Sequence, residues 1–266
     1  MTKYRINKTR FVDQTKTVSF TFDGKKYHGF EGDTLASALL SNGIHLIGRS
    51  FKYHRPRGIM SCGSEEPNAI CQINDNTDLT EPNVRATEIE LYEGLKASSQ
   101  NCWPSLNFDI GGINNFISPF IPAGFYYKTF MWPKSFWKKI YEPLIRLSAG
   151  LGKSPTQPDP DIYDHKHEHC DVLVIGGGIS GIISAKIAAK NNLKTILIED
   201  KNILGGSTIY QNNKNFIIDN QKSNEWLMNE ISELEKLDNL LIKTRTSLAA
   251  FHGYNYLLVS ETISDH

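Results

Sequence analysis

The chain is short of cysteine, of net charge and of uninterrupted apolar sequence, and each shortage removes a class of protein. Four cysteines in 266 residues, at positions 62, 71, 102 and 170, have no dense framework spacing; this excludes a disulfide scaffold and fits a reducing compartment. Lysine plus arginine and aspartate plus glutamate both number 29, so the formal charge is zero and the basic surface that broad nucleic-acid binding needs is missing. The opening MTKYRINKTRF has charge but no apolar core of a secretory signal, which points to a cytoplasmic protein. The segment most like a membrane span, Cys170 to Ala189, contains Asp171 and Lys186 and three consecutive glycines. A strand and a helix meeting at a glycine turn explain it better than a span does. What remains is a soluble globular composition, 39% hydrophobic and 22% charged, at a length that suits two ordinary domains or one large one.

Residues 17–30, TVSFTFDGKKYHGF, alternate apolar and polar side chains around Asp23-Gly24, which predicts a hairpin. In DTLASALLSNG, Asp33 or Thr34 caps a helix whose Leu35, Ala38 and Leu39 share a face, and Gly43 ends it. AICQIN and RATEIELYEG read as further strands, giving a small mixed sheet of the β-grasp type over residues 14–95. Residues 96–169 form a connecting arm rich in aromatics and proline. Within it Phe136, Trp137, Ile140, Tyr141, Leu144 and Ile145 recur at helical spacing, and Pro143 is expected to split the stretch into two short helices. So much aromatic surface needs cover, either from this chain's own domains or from a partner subunit.

Residues 170–266 change to a β-α-β pattern. DVLVI and KTILIE suit buried parallel strands, ISGIISAKIAAKNN a helix between them, and NEWLMNEISELEKLDN a second helix with Leu227, Ile231 and Leu234 on one face. LLIKT reads as a third strand and YLLVSET as part of a hairpin. The expected class is therefore α/β: an α+β β-grasp, ferredoxin-like domain without a cluster, then an incomplete Rossmann-like domain for FAD or NAD.

Between the first strand and helix of that second domain, Gly176-Gly177-Gly178-Ile179-Ser180-Gly181 supplies G-x-G-x-x-G. Gly176 permits the tight turn, Gly178 lets backbone amides approach a pyrophosphate, and Gly181 lets the helix pack closely on the strand. The phosphates would face the helix N-terminus. Glu199 ends the next strand at the spacing of a ribose-binding acid, and Asp200 adds to the repulsion of a 2′-phosphate, with Lys201 beside it opposing that repulsion. The stretch EDKNILGGS carries a second glycine turn at Gly205-Gly206, so Gly206 and Ser207 join the candidate contacts. The competing reading is a glycine-rich turn with no ligand.

The stretches FKYHRPRGIMSCGSEEPNA, PAGFYYKTFMWP, YEPLIRLSAGLG and HCDVLVIGGGISG resemble the alpha subunits of heterotetrameric sarcosine oxidase. The resemblance covers most of residues 17–266. It implies an oxidoreductase that converts sarcosine to glycine, with hydrogen peroxide and a one-carbon unit passed to tetrahydrofolate. It implies NAD in this chain (FAD being the alternative), FAD in a beta subunit, covalent FMN between the two, and gamma and delta subunits as further partners. Alpha subunits of this kind are far longer, so this chain is expected to be a truncated or split form.

Cys62 and Cys71 lie in a loop shaped like that of a plant-type ferredoxin, but no C-x2-C is present and eight residues separate the pair. No iron–sulfur cluster is expected; the resemblance implies the same. The basic, aromatic FKYHRPR in that loop suits an interdomain contact better than phosphate or single-stranded nucleic acid. His165, His167, His169 and Cys170 fall close together but lack a second ligand cluster, so a solvated linker is expected rather than a metal site. No catalytic residue is assignable from spacing. Two other functions compete: the alpha subunit of another flavin-dependent amine or amino-acid dehydrogenase binding FAD here, and a non-catalytic assembly module.

Overall fold

The computed structural model describes residues 4–5, 11–74, 79–120, 123–124, 130–210 and 216–264. Residues 75–78 of the expected β-grasp domain, 121, 122 and 125–129 of the expected arm, and 211–215 and 265–266 of the second domain lie outside the described residues. The chain divides into two compact units, Met1–Ile162 and Tyr163–His266.

The first unit opens with the hairpin β1 (Asp13–Phe22) and β2 (Lys25–Glu31). Asp23 and Gly24 both have positive φ, as a two-residue hairpin turn requires. Helix α1 (Leu35–Ser41) follows, and Thr34 caps it through a reciprocal pair with Ser37. Asp33, the other capping candidate, is 1% exposed and accepts from both terminal guanidinium nitrogens of Arg5, at 2.5 and 3.1 Å. The short strands β3 (Gly48–Arg49) and β4 (Pro56–Arg57) precede β5 (Ile70–Ile73), β6 (Glu81–Arg85) and β7 (Lys96–Ser99). The main sheet has the order β2-β1-β7-β5-β6, with β1 and β7 parallel and the other pairs antiparallel. Leu35, Ala38 and Leu39 of α1 bury against Phe20, Cys71 and Leu95 of the sheet side.

RATEIELYEG is not a strand. Thr87, Ile89 and Leu91 are buried in the alternation expected of a strand, with Ala86 buried out of step, but its backbone groups are used elsewhere. The carbonyls of Ala86 and Ile89 accept from Ala36 and Leu35 at the start of α1, and the N–H of Ala86 bonds Ala69. A segment tied to a helix N-terminus has no groups left for a continuous ladder.

The short helix α2 (Ile113–Phe116) lies in the arm, where the FKYHRPR loop also packs. His54 Nδ1 is 2.7 Å from Asp109, Arg55 Nε donates to Asn115 at 2.7 Å, and Asn114 donates to the Lys52 carbonyl. Further on, a π-helical turn, Trp137–Tyr141, runs without a break into α3 (Glu142–Ser148). Pro143 sits in the first turn of α3 and has no N–H to give the preceding turn; it marks a change of helical register rather than a split. Phe136, Trp137, Ile140 and Leu144 are exposed in this chain. The end of the arm is held by side-chain amides: Gly152 N–H donates to Asn83 at 3.0 Å, Lys153 N–H to Gln72 at 2.9 Å, and Gln100 donates to Asn83 at 2.8 Å.

The second unit is a parallel sheet in the order β12-β9-β8, built from β8 (Val172–Ile175), β9 (Thr195–Ile198) and β12 (Leu240–Lys243). Helix α4 (Ile179–Lys190) connects β8 to β9. The small hairpin β10 (Ile217–Ile218) and β11 (Gln221–Lys222) leads into α5 (Ser223–Leu234). Ile182 and Ala185 of α4, Leu197 of β9 and Trp226, Leu227 and Leu234 of α5 form its core. A second hairpin, β13 (Thr246–Phe251) with β14 (Leu257–Glu261), follows β12.

Candidate dinucleotide-binding site

The site is built where β8 hands over to α4. Gly176 takes φ of 97°, open to glycine but strained for other residues, and its N–H bonds the Ile198 carbonyl at 2.8 Å. A Cβ at Gly181 would lie 1.8 Å from the Gly176 carbonyl oxygen, so helix and turn are in contact through backbone alone. Gly178 is the N-cap of α4, in extended backbone at φ −73° and ψ −176°, and no side chain caps the helix. A Cβ on Gly178 would meet nothing within 4 Å. The uncapped start of α4 thus begins beside open space at Gly178, at the positive end of a helix, the arrangement that takes a phosphate. Ser180 is exposed there, while the Ile179 side chain packs against the core.

The second glycine turn closes on the first. Gly205 N–H donates to the Gly177 carbonyl at 2.8 Å, and a Cβ on Gly206 would lie 3.0 Å from the Gly178 Cα. Leu204 is buried against Gly177, and Ser207 is exposed. These contacts draw Gly176, Gly177, Gly178, Glu199 and Gly206 into one place.

Glu199 is only 5% exposed. Its Oε2 accepts from Gly177 N–H at 2.5 Å and its Oε1 from Lys201 N–H at 3.2 Å, so the carboxylate braces the glycine turn from β9. Burial, then a hydrogen bond shared with Asp200, pushes its carboxyl up to about 7, against the lowering effect of those two N–H donors. Asp200 is exposed. Lys201 donates to the Tyr210 hydroxyl at 2.5 Å and lies 4.8 Å from that ring's centre. Sequence reasoning missed Tyr210, the bracing role of Glu199 and Thr208, which is fully buried with a hydroxyl lacking a hydrogen-bond partner. Only the second glycine turn hinted that residues 204–210 belong here.

In the first unit, Cys71 points into the core, where burial first and Asp23 second push its thiol up to about 12; Cys62 is exposed. His165, His167 and His169 are exposed, and no group of three metal-ligating side chains occurs among the described residues. No helix among them is long and apolar enough to cross a membrane.

A family profile described as a 2Fe-2S iron-sulfur cluster binding domain matches residues 15–102, and one described as FAD dependent oxidoreductase matches residues 171–240. A solved structure of L-proline dehydrogenase from P. horikoshii superposes with a TM-score of 0.53 at 22% identity, covering 93% of this chain and 37% of that one, a likeness of fold. The class is thereby defined: a ferredoxin-like domain followed by an FAD-dependent oxidoreductase domain. More particularly, the chain is a homologue of sarcosine oxidase alpha subunits. It is 47% identical over all 266 residues to the Rhizobium meliloti subunit, covering 26% of it, and 26% identical over 257 residues to a Corynebacterium subunit, covering 22% of that. The chain spans about a quarter of the length of these curated relatives.

Proposed function

We propose that this chain is the nucleotide-binding part of a sarcosine oxidase alpha subunit and that the paired glycine turns hold the adenosine diphosphate half of a dinucleotide. The observation that carries the reading is the 47% identity maintained along the whole chain. The site fits such a ligand: the open space at Gly178 and the uncapped start of α4 suit a pyrophosphate, and Glu199 stands at the strand end where ribose hydroxyls are received. FAD and NAD share that half. The match to FAD-dependent oxidoreductases favours FAD, whereas NAD was the first expectation from the resemblance. When bound, either nucleotide supplies hydride-transfer chemistry; the residues of this chain bind and orient it. The complex, in this reading, oxidises sarcosine to glycine in the cytoplasm, releasing hydrogen peroxide and passing the one-carbon unit to tetrahydrofolate. A beta subunit would carry FAD, covalent FMN would lie between it and the alpha subunit, and gamma and delta subunits would be the further partners.

The test is chromatographic identification of every nucleotide released on denaturing the native complex, followed by the same measurement on the Gly178→Val complex. Loss of one dinucleotide equivalent in that variant assigns the ligand to this site. Unchanged content rejects the assignment. A second reading, an assembly module, draws on the exposed side chains of the arm, such as Trp132 and Leu147. It predicts that the nucleotide bound here stays in one redox state throughout turnover.

A further inference from the structure

The loop from Gly58 to Ala69, between β4 and β5, falls within the segment matching the cluster-binding profile. It contains a buried anion of its own. Glu66 is 1% exposed. One carboxylate oxygen accepts from Met60 N–H and Ser61 N–H, both at 2.7 Å; the other accepts from Asn68 N–H at 2.8 Å and Ala69 N–H at 3.2 Å. Four backbone donors from both limbs of the loop thus converge on a single side chain. Backbone N–H groups turned inward around a concavity are the means by which protein loops receive anions, iron–sulfur centres among them.

We infer that Glu66 is an internal anion that takes over the structural part of a cluster, closing residues 60–69 around a carboxylate instead of around metal and sulfide. The surrounding contacts agree. The cysteines do not converge on the loop interior: Cys71 faces the sheet core and Cys62 is exposed. Further anchors of the loop are bonds to protein: Thr87 hydroxyl to the Gly63 carbonyl at 2.8 Å, Glu66 N–H to the same carbonyl at 3.1 Å, and Arg85 Nε to the Glu66 carbonyl at 3.1 Å. Burial opposes the charge on Glu66, but the four N–H donors together outweigh it and hold the carboxyl below its ordinary value. A neutral acceptor would not gather four donors so well, because charge-assisted bonds are about twice as strong as neutral ones.

The experiment compares the full chain with Glu66→Ala and Glu66→Gln by amide hydrogen exchange, and titrates the alanine variant with acetate, which matches the atoms removed. Exchange at Met60, Ser61, Asn68 and Ala69 should accelerate by about tenfold or more in Glu66→Ala. Acetate should slow it again there and leave the parent unchanged. Unaltered protection of the four amides, or acceleration that acetate does not reverse, would overturn the inference. Should the alanine variant fail to fold, Glu66→Gln decides the matter. Its single carbonyl oxygen can serve only one of the two amide pairs, so protection should fall at either 60 and 61 or 68 and 69, and equal protection at all four rejects the role.

Discussion

Gly178 and Gly181 stand three residues apart and should respond to an added side chain in opposite ways. At Gly178 the new carbon enters open space and the backbone angles are ordinary, so Gly178→Val should melt like the nucleotide-free parent while failing to hold nucleotide. At Gly181 the new carbon would lie 1.8 Å from a carbonyl oxygen. Gly181→Ala must push α4 off its turn, at a cost of roughly 1–3 kcal/mol or more for overpacking, so it should lower the melting temperature as well as nucleotide content. Thermal melts and nucleotide assays on both variants check this; equal melting of the two would refute the close-packing argument. Glu199 makes a second prediction. Its carboxyl is raised from 4.5 to about 7, so the folded chain keeps a proton that the unfolded chain has released. The resulting stability is full below 4.5 and is lost as the pH rises through about 7. Glu199→Gln lacks this dependence, so its urea midpoint relative to the parent should improve between about pH 5 and pH 7. The glycines and the acid were legible because each answers to a fixed spacing. The bracing of Gly177 by Glu199 was not, since a bond from side chain to a distant backbone N–H leaves no periodic trace.

Among the elements, those whose side chains and backbones obey the same geometry were readable. The apolar runs of β8, β9 and β12 became parallel strands, and the hairpin at Asp23-Gly24 formed in register. RATEIELYEG misled because its side chains alternate as in a strand while its carbonyls serve α1. The π-turn before Pro143 was invisible for a related reason: helical spacing of apolar residues does not report which carbonyl each N–H selects. The order β12-β9-β8 also ranks the strands by protection. Thr195–Ile198 of β9 is paired on both sides and wholly buried, whereas β8 and β12 each have one neighbour in the sheet. Hydrogen exchange should therefore be slowest in β9. Exchange in β8 as slow as in β9 would show that the outer edge of β8 is covered.

For the molecule as a whole, length allowed two domains, and composition pointed away from the nucleic-acid and disulfide classes, because those expectations depend on totals. It could not indicate how the arm finishes. Gln72, Asn83 and Gln100 lie far apart in sequence, on or beside strands of one sheet, and only the folded first unit brings their amides to the backbone of residues 150–153. Gly152 has no room for a side chain in that clamp, since a Cβ would lie 2.5 Å from Pro82. Beyond it the chain changes character: residues 154–169 are exposed throughout and form no helix or strand. The covalent seam of the protein should then lie at the clamp's outer edge, not at the last strand of the first unit. Brief proteolysis should cut within 154–169 and yield an amino-terminal piece that still carries Lys153, with mass spectrometry fixing the end. A piece ending before Gly150 would mean that the amides do not hold. The arm would thus be inherited by the first domain as its own tail.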